Sequence, residues 1–128
     1  MKHWSNQINN LVPYLPLLIL LGYFVYLSTL FPLHDFSNAY YGALLLQKKL
    51  FGATVYDAWF FNSTVAQLGH DGLYLAYYPN TPFLAFFFQP LAALDPWLAK
   101  FTWNLLSCIL FIVAWFRLSK FFQLSARV

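Results

Sequence analysis

Charge is scarce in this sequence, and one acidic residue type is missing altogether. Only 9% of the 128 residues are Asp, Glu, Lys or Arg, against roughly a quarter in soluble domains, and there is no glutamate. The seven basic residues are scattered along the chain, which excludes a patch that binds nucleic acid. The single cysteine, Cys108, excludes a disulfide framework and a thiolate metal site.

Apolar side chains take the place of the missing charges. The chain is 61% hydrophobic and 23% aromatic, which predicts a membrane protein. Residues 11–30 and 97–116 form two apolar runs, each long enough to cross the ~30 Å hydrocarbon core. A third run, 83–94, would reach only ~20 Å as a helix. It predicts either a short crossing or a re-entrant helix.

We therefore predict an all-α integral membrane protein with about three transmembrane helices. The predicted segments are a cytoplasmic lead (1–10), a first transmembrane helix (11–31), an extracytoplasmic loop (32–78), a short second crossing or re-entrant helix (79–95), a last transmembrane helix (96–118) and a basic tail (119–128). Basic residues prefer the cytoplasmic side, so charge alone favours two crossings with both termini there. The resemblance described below favours three.

The predicted loop contains two short helices. Apolar residues at three- and four-residue spacings from Asp35 to Gly52 predict an amphipathic helix along the membrane interface, with Ser37 and Tyr41 facing away from its apolar side. Gly52 is expected to end that helix.

Capping signals mark the helices that follow. Asp57 predicts the N-cap of a helix over 58–68, and Gly69 predicts its end. His70-Asp71-Gly72 then predicts a turn. Thr81-Pro82 and Asp95-Pro96 each combine a capping residue with a proline suited to the first helical position.

Asp35 is the main functional candidate. It follows the first apolar run, and a carboxylate at the membrane surface is costly unless it has a use. The alternative is that Asp35 is simply an N-cap. The dipeptide His34-Asp35 recurs as His70-Asp71, but two dipeptides in different loops do not define a ligand geometry, so we predict no metal site.

Several short motifs occur in a particular order along the chain. They are Asp35-Phe36, Tyr40-Tyr41 with Ala43, Gly52 with Tyr56-Asp57, Tyr78-Pro79, Pro82-Phe83, Pro90-Leu91-Ala92, and Trp103 with Asn104. In this order they resemble the N-terminal part of the GT-C membrane glycosyltransferases, and more narrowly the mannosyltransferase-like glycosyltransferase family 87. The family often has a run of prolines where this chain has Pro79-Asn80-Thr81-Pro82. The resemblance covers nearly all of this chain but only the opening part of a family member.

The resemblance implies a hexosyltransferase that uses a polyprenyl-phosphate-linked sugar as donor and a lipid or glycan hydroxyl as acceptor. It implies an extracytoplasmic active site in which Asp35 is the general base, with no cofactor beyond the donor. His34, Lys48 and Lys49 are expected to neutralise the donor phosphate. Tyr40, Tyr41, Tyr77 and Tyr78 are expected to line the substrate path, although interfacial aromatic belts account for them as well.

A second interpretation is a small non-catalytic membrane subunit, or a truncated remnant, that assembles with other helices. It is favoured by length, because the family's donor pocket is built from many crossings. On the first interpretation the chain is incomplete, and further transmembrane segments or subunits finish the pocket. The expected location is the bacterial inner membrane, because the mannosyltransferase-like branch is chiefly bacterial.

Overall fold

The structure, a computed structural model, describes residues 14–122, except for the side chain of His34. Every regular element in this part of the chain is helical, which confirms the predicted all-α class. The five α-helices are α1 (Leu15–Leu30), α2 (His34–Gln47), α3 (Ala58–Gln67), α4 (Pro82–Phe88) and α5 (Pro96–Phe121); two short 3-10 turns lie at Ala53–Tyr56 and Leu91–Ala93. The predicted cytoplasmic lead and residues 123–128 of the tail lie outside the described residues.

The described residues form two compact units. The terminal unit contains the residues up to Phe31 and those from Trp103 onward, and therefore α1 and most of α5. The central unit is Pro32–Thr102, and it contains α2, α3, α4 and the start of α5.

In the terminal unit, α5 is long and apolar enough to cross a membrane. Its 26 residues extend ~39 Å, and its mean hydropathy reaches 1.7. The start of α1 lies beside the end of α5, because the rings of Tyr14 and Phe116 are 5.3 Å apart. The hydroxyls of Ser28 and Thr29 donate to carbonyls of their own helix, at 2.7 Å each, so α1 presents few unsatisfied polar groups.

α2 is the central helix of the central unit. Its residues from Ala39 to Leu45 are buried around the whole circumference, and α4 and the turn Leu91–Ala93 pack against it. The predicted amphipathic pattern, with one face left polar and exposed, is therefore wrong for this segment. Ser37 and Tyr41, expected to face away from the apolar side, are both buried. Neighbouring segments cover both faces of the helix, and such a helix is apolar nearly all round.

α2 also ends earlier than predicted, at Gln47 rather than near Gly52. Lys49 adopts a left-handed conformation (φ 60°). The N–H groups of Lys49 and Leu50 donate to the carbonyls of Leu46 and Leu45, at 3.1 and 2.8 Å. These bonds form a Schellman motif, in which glycine is the usual left-handed residue, so a lysine here gave no sequence signal for the helix end.

The predicted caps of α3 and α5 are confirmed. The Asp57 carboxylate accepts the N–H of Phe60 at 2.8 Å, and Gly69 follows the helix with φ 89°. The Asp95 carboxylate accepts the N–H of Trp97 at 2.9 Å, just after Pro96 begins α5. Each bond connects residues two or three positions apart, which is why the local sequence predicted it.

α4 is shorter than the predicted 83–94 helix. It spans seven residues, ~10 Å, and is followed by the separate turn Leu91–Ala93. Pro90 stands between them, and proline cannot donate the backbone hydrogen bond that a continuing helix needs. Thr81 occupies the N-cap position, but its side chain makes no capping bond.

Candidate functional site

Asp35 lies in the first turn of α2, with its side chain exposed. The N-cap position belongs to Leu33, so the alternative of Asp35 as N-cap is wrong. Its carboxylate makes no hydrogen bond or ion pair with the residues that the structure describes, and it lies where the partial positive charge of a helix N-terminus attracts an anion. The Asp35 carboxylate is therefore accessible to a ligand.

The basic residues expected to help Asp35 are not close to it. Lys48 and Lys49 follow the C-terminal end of α2 and are exposed, and the helix advances ~20 Å between Asp35 and Lys48. The side chain of His34 lies outside the described part of the chain. A phosphate beside Asp35 would therefore not meet either lysine.

Three of the four tyrosines proposed for the substrate path are buried. Tyr40 donates its hydroxyl to the carbonyl of Leu94 at 2.7 Å, and Tyr41 packs edge-on against the ring of Tyr40. Tyr77 is 0% exposed, whereas Tyr78 is 67% exposed. Tyr78 is the one of the four whose ring a ligand could reach without a rearrangement of the central unit.

Tyr77 connects three parts of the central unit. Its hydroxyl donates to the carbonyl of Thr81 at 2.7 Å and accepts the N–H of Ala85 at 3.1 Å, which fixes the start of α4. Its ring lies within 5.4–5.8 Å of the rings of Phe51, Tyr56 and Phe61. Burial raises the pKa of the Tyr77 phenol, since the phenolate would lose its hydration.

Gly42 provides the space that Tyr77 occupies. A Cβ at Gly42 would lie 2.7 Å from Cδ2 of Tyr77 and closer still to Cε2. The sequence patterns predict no role for Gly42, because a lone glycine within a helical pattern has no partner that the local sequence can identify.

Residues 72–77 form a segment without regular secondary structure that is bonded to side chains of α2 and α3, and we call it the strap. Asn38 of α2 accepts the N–H of Ala76 at 2.9 Å. Asn62 of α3 accepts the N–H of Leu75 at 2.8 Å and donates to its carbonyl at 2.7 Å. The two asparagine side chains thus satisfy backbone hydrogen-bonding groups of the strap and hold the strap against both helices.

Two cavities lie along the strap. One, of about 180 Å³, is lined by Pro32, Leu33, Ser37, Gly72, Leu73, Tyr74 and Leu75. The other, of about 280 Å³, is lined by Trp59, Asn62, Ser63, Ala66, His70, Asp71, Gly72, Leu73 and Leu75. Asp35 lines neither cavity. It is two positions from Ser37, about 200° around the helix axis.

We call the larger cavity the Trp59 groove. The sequence patterns predict only a turn at His70-Asp71 and no role for Trp59, so this cavity was not expected. A signal was present in the sequence, because Trp59, Asn62, Ser63 and Ala66 follow the spacing of one helix face.

Comparison of the chain with protein-family models, with curated proteins and with solved structures found no match. Within residues 14–122, no group of three or more His, Cys, Asp or Glu side chains is placed to hold a metal ion. The site residues, the donor and the absence of a cofactor therefore stay predictions.

Proposed function

We propose that this chain is the N-terminal module of an integral membrane glycosyltransferase of the GT-C type, similar to family 87. In this proposal it takes part in moving a mannose-like hexose from a polyprenyl phosphate to a lipid or glycan hydroxyl. The observation that carries the proposal is the exposed Asp35 carboxylate in the first turn of α2. This carboxylate makes no capping bond or ion pair with the residues that the structure describes. Such a carboxylate is suited to act as the general base.

The proposed step is a displacement at the anomeric carbon of the donor sugar. The acceptor oxygen forms the new bond to that carbon while the bond to the phosphate oxygen breaks, and the lipid phosphate leaves with the electron pair. Asp35 takes the proton that the acceptor hydroxyl loses. Because Lys48 and Lys49 follow the far end of α2, we propose that further segments or a partner subunit neutralise the leaving phosphate.

We propose further that α1 and α5 cross the membrane and that α4 enters and leaves it on one side. Seven residues reach ~10 Å, against a core of ~30 Å, which supports a re-entrant α4 over a third crossing. The contact between Tyr14 and Phe116 supports an antiparallel pair with both basic ends on the cytoplasmic side. In this proposal residues 31–95, which lie between the two crossings in the chain, are on the outer side of a bacterial inner membrane.

The test is Asp35→Asn in the complete protein in its native membranes. We expect sugar transfer from a polyprenyl-phosphate mannose donor to fall by ~10²–10⁴-fold, the usual contribution of a general base, with an unchanged membrane level. Asp57→Asn is the matched control, because Asn caps a helix as well as Asp does. Near-normal transfer by the Asp35→Asn protein would remove Asp35 from the catalytic role.

The second candidate is a small non-catalytic membrane subunit or a remnant. It is favoured by the apolar surface of the terminal unit, where most large side chains of α1 and α5 are exposed and suited to contact lipid or other helices. The mass of the native polypeptide separates the two candidates. A mass near 14.9 kDa would favour the subunit, and a much larger one the glycosyltransferase.

A further inference from the structure

The Trp59 groove combines an exposed aromatic face with polar groups. The indole of Trp59 is 80% exposed, although it lines a cavity of about 280 Å³. His70 and Asp71 line the same cavity. The exposed indole, near the start of α3, provides a flat apolar surface in a cavity that hydrogen-bonding groups also line.

The walls of the groove are held in place by its other polar residues. The Asn62 amide hydrogen-bonds the backbone of Leu75 and donates to the carbonyl of Ala58. The Ser63 hydroxyl donates to the carbonyl of Phe60. The His70 ring rests 5.1 Å from the buried ring of Tyr41. Asn62, Ser63 and His70 are therefore held in place before a ligand arrives, which lowers the entropy cost of binding.

The chemistry of the lining selects the ligand. No lysine or arginine lines the groove, and Asp71 would repel a phosphate or carboxylate. A purely apolar ligand would strip water from Asp71 without replacing its hydrogen bonds. A neutral ring with an apolar face and several hydroxyls satisfies both the indole and the carboxylate. The volume lies near the lower end of small-molecule sites, which suits a single ring.

We propose that the Trp59 groove binds one sugar ring of a neutral glycan, with the indole of Trp59 against the ring face. The Asp71 carboxylate and the His70 imidazole hydrogen-bond the ring hydroxyls. This proposal does not rest on the proposed transferase activity, since Asp35 lies on another helix and lines neither cavity. A non-catalytic subunit could use the same groove to hold a glycan.

The experiment measures sugar binding by the full chain in lipid nanodiscs, because glycosidic detergents would compete. The probes are mannotriose and cellotriose, with inorganic phosphate as the anionic comparison, and the readout is the indole N–H signals in NMR spectra. We expect one of the five tryptophan signals to shift saturably with at least one trisaccharide. The same signal should be missing from the spectrum of the Trp59→Phe protein, which assigns it to Trp59.

Three variants test the assignment. Trp59→Ala should abolish saturable binding, measured by calorimetry, and Asp71→Asn should weaken it about tenfold, the loss of one charge-assisted hydrogen bond. Trp59→Phe keeps a ring face and should retain most of the affinity. Trp97→Ala, which removes another exposed tryptophan of the central unit, should bind like the unmodified chain.

Three binding results would overturn the proposal: no saturable shift with either trisaccharide, undiminished binding by Trp59→Ala, or tighter binding of phosphate than of sugar. A fourth is quenching of Trp59 fluorescence by lipid-borne quenchers, which would make Trp59 a membrane anchor. Asp35→Asn should bind sugar normally. Loss of transfer with retained binding, or the reverse, therefore tells the two proposals apart.

Discussion

At the scale of single residues, the central unit depends on a close contact between Gly42 and the ring of Tyr77. The two residues are far apart in the sequence, yet the ring occupies the space that any Cβ at Gly42 would fill. Tyr77 cannot move aside freely, because its hydroxyl holds Thr81 and Ala85 and its ring packs among three other aromatic rings.

Gly42→Ala should therefore destabilise the protein, although alanine is the better helix former. We expect the free energy of unfolding to fall by ~1–3 kcal/mol, the usual cost of overpacking a core. Gly22→Ala is the control, since a Cβ there meets no atom within 4 Å, and it should be neutral or stabilising. Denaturant unfolding of both variants in micelles measures the difference. Equal stability of the two would contradict the close contact.

The Tyr77 phenol also makes stability depend on pH. Its pKa is raised above 10.0 by burial, so the folded protein holds this proton more tightly than the unfolded chain. The resulting stabilisation is complete below pH 10 and is lost as the pH rises above 10 and through the folded-state pKa. The loss comes from the unfolded chain, which releases the proton first.

Tyr77→Phe isolates this effect from the other tyrosines. Near neutral pH the variant should be ~1–3 kcal/mol less stable, because the Thr81 carbonyl and the Ala85 N–H lose their partner. Above pH 10 the gap between the two proteins should narrow, as only the unmodified chain still titrates at this position. Thermal unfolding across this range provides the measurement, and a constant gap would contradict the assignment.

Among the helices, α2 ends without the glycine that usually follows a helix in the left-handed conformation. Lys49 takes the left-handed conformation at the position where glycine is favoured, and its side chain is exposed. A lysine there pays a steric penalty that glycine avoids.

Lys49→Gly should raise the free energy of unfolding by up to ~1 kcal/mol, because it removes the unfavourable left-handed lysine. Lys48→Gly is the matched control, since Lys48 has φ −80° and gains nothing from glycine. That variant should be neutral or slightly destabilised. Thermal melting of both proteins compares them, and a Lys49→Gly protein no more stable than Lys48→Gly would count against the Schellman geometry.

At the scale of the whole molecule, the number of membrane crossings depends on α4. A crossing helix would place residues before and after it on opposite sides, and a re-entrant one on the same side. Asn80 precedes α4, and Ala93 follows it on an exposed position.

Single cysteines at these two positions, Asn80→Cys and Ala93→Cys, decide the question in a Cys108→Ser background. A membrane-impermeant thiol reagent added to right-side-out vesicles should label both if α4 is re-entrant, as we propose. Inverted vesicles should protect both. Labelling of the two positions from opposite sides would restore the third crossing.

Local sequence patterns were enough to predict the helical class, the apolar run that became α5, and the caps of α3 and α5. These features are local: a run of apolar residues needs no distant partner to be recognised, and the bonds from Asp57 and Asp95 reach only two or three residues along the chain. The break after α4 also has a local sequence signal, Pro90, although the predicted helix extended through it.

Three features are visible only in the folded chain: α2 is a central helix, Asn38 and Asn62 hold the strap, and one groove is lined by Trp59, His70 and Asp71. Each of these depends on contacts between segments far apart in the chain, such as the 38 positions between Asn38 and Ala76. The residue spacing within α2 predicts an outward polar face. Spacing alone carries no information about which segments pack against the helix, so it could not show that this face is covered. Burial is set by those neighbours, and they are specified elsewhere in the sequence.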